Sequence, residues 1–122
     1  MHTRHTDSIP YRTKDGSLIR ELLHPAVHGG PSRMSLAEAT VPRGGRTFPH
    51  RHRHSEEIYH VLRGTGTMQL DGRTFAVAAG DTVRILPGLI HALCCDANEE
   101  LVVLCCCTPP YSHDDTDLHG ED

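Results

Sequence analysis

From Met34 to Thr108 the chain is cut roughly every eight to twelve residues by Gly, Pro or Asp, leaving short apolar or alternating runs. "MSLAEATV" (34–41) ends in "PRGG", and "IYHVL" (58–62) stops at Gly64. "TMQL" (67–70) and "RTFAVA" (73–78) flank Asp71-Gly72, a strong short-range hairpin signal. "TVRIL" (82–86), "HALCC" (91–95) and "LVVLCCCT" (101–108) follow, parted by Pro87-Gly88 and "DANEE" and closed by Pro109-Pro110. This punctuation predicts an all-β barrel or sandwich.

The flanks are less regular. Residues 1–16 are polar and end in the turn signal "KDG". "SLIRELLHP" reads equally as a short helix or a strand, and Pro25 stops either one. We divide the chain into an N-terminal extension (1–33), a β-barrel (34–110) and an acidic tail (111–122) expected to pack loosely, with Tyr111 anchoring its start. A length of 122 residues suits one domain. With no Trp and two Phe, the core must rest on Leu, Val, Ile, Ala and Cys.

Charge and cysteine usage narrow the function classes. A net charge of −4 with scattered Arg gives no basic face, so nucleic acid is not an expected partner. "MHTRHTDSIPYR" lacks the apolar stretch of a secretory signal, and "LVVLCCC" is too short to span a bilayer. The expectation is a cytoplasmic protein with no membrane partner. Cys94, Cys95, Cys105, Cys106 and Cys107 make a poor disulfide framework, being odd in number and adjacent. On a strand Cys105 and Cys107 share one face and Cys106 takes the other, so they read as small buried hydrophobes, or as one thiol lining a pocket.

The stretch "HRHRHSEE" (50–57) carries the chemistry. His50 and His52, two apart on a strand, point to one face with Cα atoms roughly 6 to 7 Å apart. Imidazoles so spaced can converge on one ion, and a carboxylate adds the charge that retains a divalent metal. Strict alternation puts Glu56 and His54 on that same face; Glu57 joins it only if the chain bends between Arg53 and Glu56. The remaining histidines carry less: His2, His5, His113 and His119 lie in polar termini, and His24 and His28 flank a loop with no visible partner. His60 has the parity opposite to Glu57, while Tyr59 shares it and is a candidate substrate-facing phenol or a core residue.

The wider pattern is G-x5-H-x-H-x4-E-x6-G from Gly44 through His50, His52 and Glu57 to Gly64. It resembles the first motif of the cupin superfamily at every defined position. "GDTVRILPGLIHALCC" resembles the second motif, with Gly80, Gly88 and His91 in place; Leu86 stands where that motif has Pro and Cys95 where it has Asn. The resemblance covers roughly residues 34 to 108. It implies a double-stranded β-helix, a small jelly-roll barrel, with His50, His52, Glu57 and His91 around one metal ion. Spacing to Gly64 selects Glu57, with Glu56 the alternative.

Three imidazoles and one carboxylate leave one or two positions open on a five- or six-coordinate ion, which points to chemistry rather than structure. The set accommodates Zn, Fe, Mn, Ni or Cu, with Zn or Fe favoured. Small cupins include isomerases, lyases, polyketide cyclases, dioxygenases and zinc enzymes that form N–N bonds from N-hydroxylated amino-acid conjugates. The expectation is therefore a metal-dependent enzyme acting on a small molecule, with Glu57 and Tyr59 as catalytic residues. A non-catalytic ligand-binding module is the alternative. The resemblance also implies a homodimer, and "SLIRELL" is a candidate cover for apolar outer strand faces.

Overall fold

The structure, a computed structural model, describes residues 1–119. The punctuated runs become strands β3 (Ser35–Val41), β5 (Glu56–Arg63), β6 (Thr65–Leu70), β7 (Arg73–Ala78), β8 (Thr82–Ile85), β9 (His91–Cys94) and β10 (Leu101–Thr108). To these are added β1 (Tyr11–Arg12), β2 (Leu18–Leu23), β4 (His50–His52), β11 (Thr116–Leu118) and one short helix, α1 (Pro25–His28). They form two antiparallel sheets, β1-β2-β3-β10-β5-β8 and β11-β4-β9-β6-β7, which face each other as a jelly-roll barrel.

Period-two burial explains the arrangement. On β3, Ser35, Ala37, Ala39 and Val41 are buried, while the residues between them are partly or fully exposed. On β10, Cys105 and Cys107 face the barrel interior and Cys106 faces out; all five cysteines are free thiols. The core between the sheets is built from residues such as Val41, Val61, Met68, Ile85, Leu101 and Val103. The hairpin β6–β7 turns through Asp71 and Gly72 at φ 50° and 82°, the paired positive angles of a two-residue turn. Between β5 and β6 only Gly64 intervenes, at φ 89°, as the chain passes from one sheet to the other.

Three expectations about the flanks are corrected. Of the two readings of "SLIRELL", the strand is the one formed; it extends the first sheet beside β3 and does not cover the outer faces of its own barrel, where Leu36, Ile58 and Leu62 are exposed. His24 is buried and bonded: its Nδ1 accepts from the Ala26 amide as the cap of α1, and its Nε2 bonds the Tyr111 carbonyl at 2.8 Å. The stretch after Tyr111 is not loose. β11 pairs with β4, Thr116 is 1% exposed, and the Asp115 carboxylate accepts the amides of His54 and Ser55. Among the described residues, no helix is long and apolar enough to cross a membrane.

Candidate metal centre

His50 and His52 lie on one face of β4, and β9, the neighbouring strand, begins with His91 directly opposite His50. Strand pairing thus gathers three imidazoles whose exposures are 2%, 4% and 0%. The His50 and His91 rings stand 4.2 Å apart, and the His52 ring lies 5.3 and 5.4 Å from them. One nitrogen of each lies within 4.8 Å of the others, a group that could hold a metal ion.

The hydrogen bonds on the far side of each ring decide which nitrogen faces the centre. Nδ1 of His50 donates to the Phe48 carbonyl at 2.8 Å, and Nδ1 of His91 to the Leu89 carbonyl at 2.9 Å. His52 Nδ1 lies 2.9 Å from Thr116 Oγ1, whose own hydrogen goes to the Ser112 carbonyl, so the imidazole donates there too. With every Nδ1 protonated, each Nε2 points inward and is the nitrogen left to ligate a metal, as in metal-ligating histidines. His91 Nε2 is buried with no hydrogen-bond partner, an orphan that an ion satisfies. The residues fit a metal.

Glu57 reaches this cluster by a change of sheet. The chain leaves the second sheet after His52, turns through residues 53–55, and enters the first sheet as β5. The turn is held by Asp115, on the amides of His54 and Ser55 and on the His54 ring at 2.7 Å, and by Ser55 Oγ donating to the Pro109 carbonyl. Alternation restarts after it, so Glu57 points in, Glu56 is half-exposed and the His54 side chain is 79% exposed. Glu57 Oε1 lies 3.0 Å from His52 Nε2 and 3.5 Å from His91 Nε2. Tyr59, two residues on, is buried with its ring 5.8 Å from that of His91. His60 faces outward onto Thr82 Oγ1.

Burial opposes the charge on Glu57, but the His52 hydrogen bond and the nearness of the His52 and His91 rings hold its carboxyl well below the usual range. Burial also opposes a proton on His52, yet the Glu57 hydrogen bond and charge raise its pKa. His50 is pushed down to about 4 by burial and by the facing His91. The Tyr59 phenol is pushed well above its ordinary value, mainly by burial and then by Glu57. The Cys105 and Cys107 thiols rise for the same two reasons, and Cys107 donates to Glu57 Oε2 at 3.3 Å.

Asp15 belongs to this site, although the sequence marked it only as part of a turn. Its Oδ1 accepts from Thr13 Oγ1, the Ser17 amide and Ser17 Oγ, which leaves Oδ2 3.4 Å from His50 Nε2. Thr116 and Tyr111, from the supposed tail, also line the cavity beside the histidines. The local sequence marks "TKDGS" as an Asx-type turn, but nothing in one dimension points it at His50.

A proton count follows from His52. With Nδ1 donating to Thr116 and Nε2 to Glu57, the metal-free ring carries two protons, and a metal needs the Nε2 lone pair. Uptake of Zn(II) is expected to release about one proton at pH values below the raised His52 pKa and none above it. Affinity should therefore climb by about tenfold per pH unit and then level off. Calorimetry in buffers of differing ionisation enthalpy measures the release; a count near zero at pH 6 would contradict the assignment.

Comparison with known proteins agrees with this architecture. The sequence matches the cupin domain family over residues 37–107. An uncharacterized protein of Methanocaldococcus jannaschii is 52% identical over 109 residues, which are 89% of this chain and 86% of that one. Among solved structures, a predicted oxalate decarboxylase of Thermotoga maritima is 24% identical with a TM-score of 0.76, covering 89% of this chain and 99% of that one. The Streptomyces nucleoside dehydratase Pac13 is 16% identical with a TM-score of 0.75, covering 98% and 90%. A family match over more than half the chain, on a barrel of this topology, means that the protein belongs to the cupin family.

Proposed function

We propose that the protein is a mononuclear metalloenzyme acting on a small organic molecule held in the barrel beside His50, His52 and His91. The observation that carries this reading is the inward set of three Nε2 atoms, that of His91 a buried orphan, with His50, His52 and Glu57 lining a cavity. Glu57 is the fourth ligand in this reading, since its Oε1 already contacts two of the three nitrogens. Bound there, Zn(II) or Fe(II) supplies Lewis-acid polarisation of a carbonyl or carboxylate oxygen.

The chain's own groups supply the rest. Tyr59 stays protonated at neutral pH and acts as a hydrogen-bond or proton donor to a substrate oxygen. Asp15 Oδ2, whose partner oxygen is saturated, lies 3.4 Å from His50 Nε2 and accepts a proton from the substrate. Ile19, Val41 and Leu93 line the cavity with apolar surface and exclude water. Two thiols, Cys105 and Cys107, share the cavity as buried, protonated groups. The proton-transfer groups Tyr59 and Asp15 suit isomerisation or lyase-type elimination. The exposed outer residues Leu36, Ile58 and Leu62 suit pairing with a second copy.

Anaerobic purification, elemental analysis and turnover on a panel of keto acids, sugars and amines test the proposal. One equivalent of metal with turnover is expected. The variant Tyr59→Phe should keep the ion and lose about 10²- to 10⁴-fold in kcat, the usual range for a positioned acid. Metal without turnover on any member would favour a ligand-binding module instead.

A further inference from the structure

The wall of the cavity provided by β2 holds a carboxyl group that the preceding reading does not use. Glu21 is 8% exposed and lines the cavity. Its Oε2 accepts the Tyr11 phenol at 2.5 Å, while Oε1 is buried with no hydrogen-bond partner. Leaving a buried acceptor unpaired costs on the order of 1 to 3 kcal/mol, and more when it is charged. A fold that tolerates this beside an open space has an acceptor poised for a guest.

The sheet register sets the distance from Glu21 to the far wall of the cavity. Glu21 pairs with Ala37, Ala37 with Cys105, and Cys105 with Tyr59. Three strand spacings, roughly 14 Å along the curved sheet, therefore separate Glu21 from Tyr59, with only small side chains between. Among the described residues that line the cavity there is no Lys or Arg; the charged groups are Asp15, Glu21 and Glu57, with the histidines at one end. A dianionic acid finds no cationic side chain to meet a second carboxylate. A guest carrying positive charge finds Glu21.

We propose that Glu21 binds a protonated amine of the substrate, so that the enzyme takes small amines or amino acids whose oxygen-bearing end lies at the histidines. This rests on the cavity being the substrate site of the proposed enzyme. The Tyr11 hydroxyl, its pKa pushed up by burial and the adjoining Glu21, donates to Oε2 and leaves Oε1 for the ligand.

The test is titration calorimetry of 4-aminobutyrate and 5-aminovalerate against butyrate and valerate, on metal-free and Zn(II)-loaded protein. At least one amine-bearing acid should bind tenfold or more tighter than its amine-free partner. Glu21→Gln should abolish that preference while leaving zinc stoichiometry unchanged. Tyr11→Phe should retain the preference. Equal affinities within both pairs, or a preference that survives Glu21→Gln, overturns the proposal. Failure of the metal reading shows separately, as absent zinc with the amine preference intact in metal-free protein.

Discussion

Replacing His91 with glutamine is expected to abolish stoichiometric metal binding while leaving the barrel folded. His91 is fully buried, its ring packs 4.2 Å from that of His50, and its Nε2 is the orphan of the site. Glutamine approximates the volume, so β9 keeps its place between β4 and β6. It cannot keep an inward lone pair of imidazole basicity pinned by the Leu89 carbonyl. Loss of a mere supporting hydrogen bond costs about 10- to 100-fold in metal affinity. Loss of a ligand should exceed that, and dialysis should leave substoichiometric metal. Elemental analysis reads the stoichiometry and circular dichroism reads the fold. A variant that still holds one equivalent would show that His50, His52 and Glu57 suffice, and the four-ligand reading would fall.

A large effect on stability is expected at Gly66, away from the chemistry. Gly66 is buried on β6, and a Cβ there would sit 2.4 Å from the Cys94 carbonyl oxygen and 2.9 Å from a Leu101 methyl. The leucine end can rotate aside; the carbonyl cannot. It belongs to β9, which pairs with β6 from Thr67–Cys94 to Leu70–His91, so relief requires the two strands to separate. Gly66→Ala should destabilise the protein by about 3 kcal/mol or more, and metal affinity should fall with it because β9 carries His91. Gly72→Ala is the control. Its Cβ meets nothing within 4 Å, so only the strain of φ 82° remains, about 1 kcal/mol. Urea titration of both variants decides; a Gly66→Ala midpoint close to that of Gly72→Ala would refute the steric account.

Period-two alternation and turn chemistry made the barrel legible. β10 spans Leu101–Thr108, the same bounds as the apolar run, and the Asp71-Gly72 turn joins β6 to β7. The same rule could not settle Glu57, because parity holds within a strand and is lost where the chain changes sheets at residues 53–55. There the spacing to Gly64 carried information that alternation did not. The missed residues share one physical cause. Asp15 reaches His50, and Thr116 reaches His52 across 64 residues, through contacts that no local pattern records. The acidic composition after Tyr111 suggested solvation, yet the Asp115 carboxylate serves as acceptor for the turn amides of His54 and Ser55.

The pinning of β11 onto β4 also bears on how the molecule is made. Lys14 Nζ bonds the Thr116 carbonyl at 2.6 Å across 102 residues, and the second support of His52 comes from that same threonine. Contacts of such sequence separation form slowly, since the loop they close must first lose its entropy. A nascent chain shorter than residue 116 can pair the central strands, but it cannot orient His52. The centre is thus expected to mature after the barrel, and a chain clipped just before β11 should stay folded longer than it stays able to hold an ion.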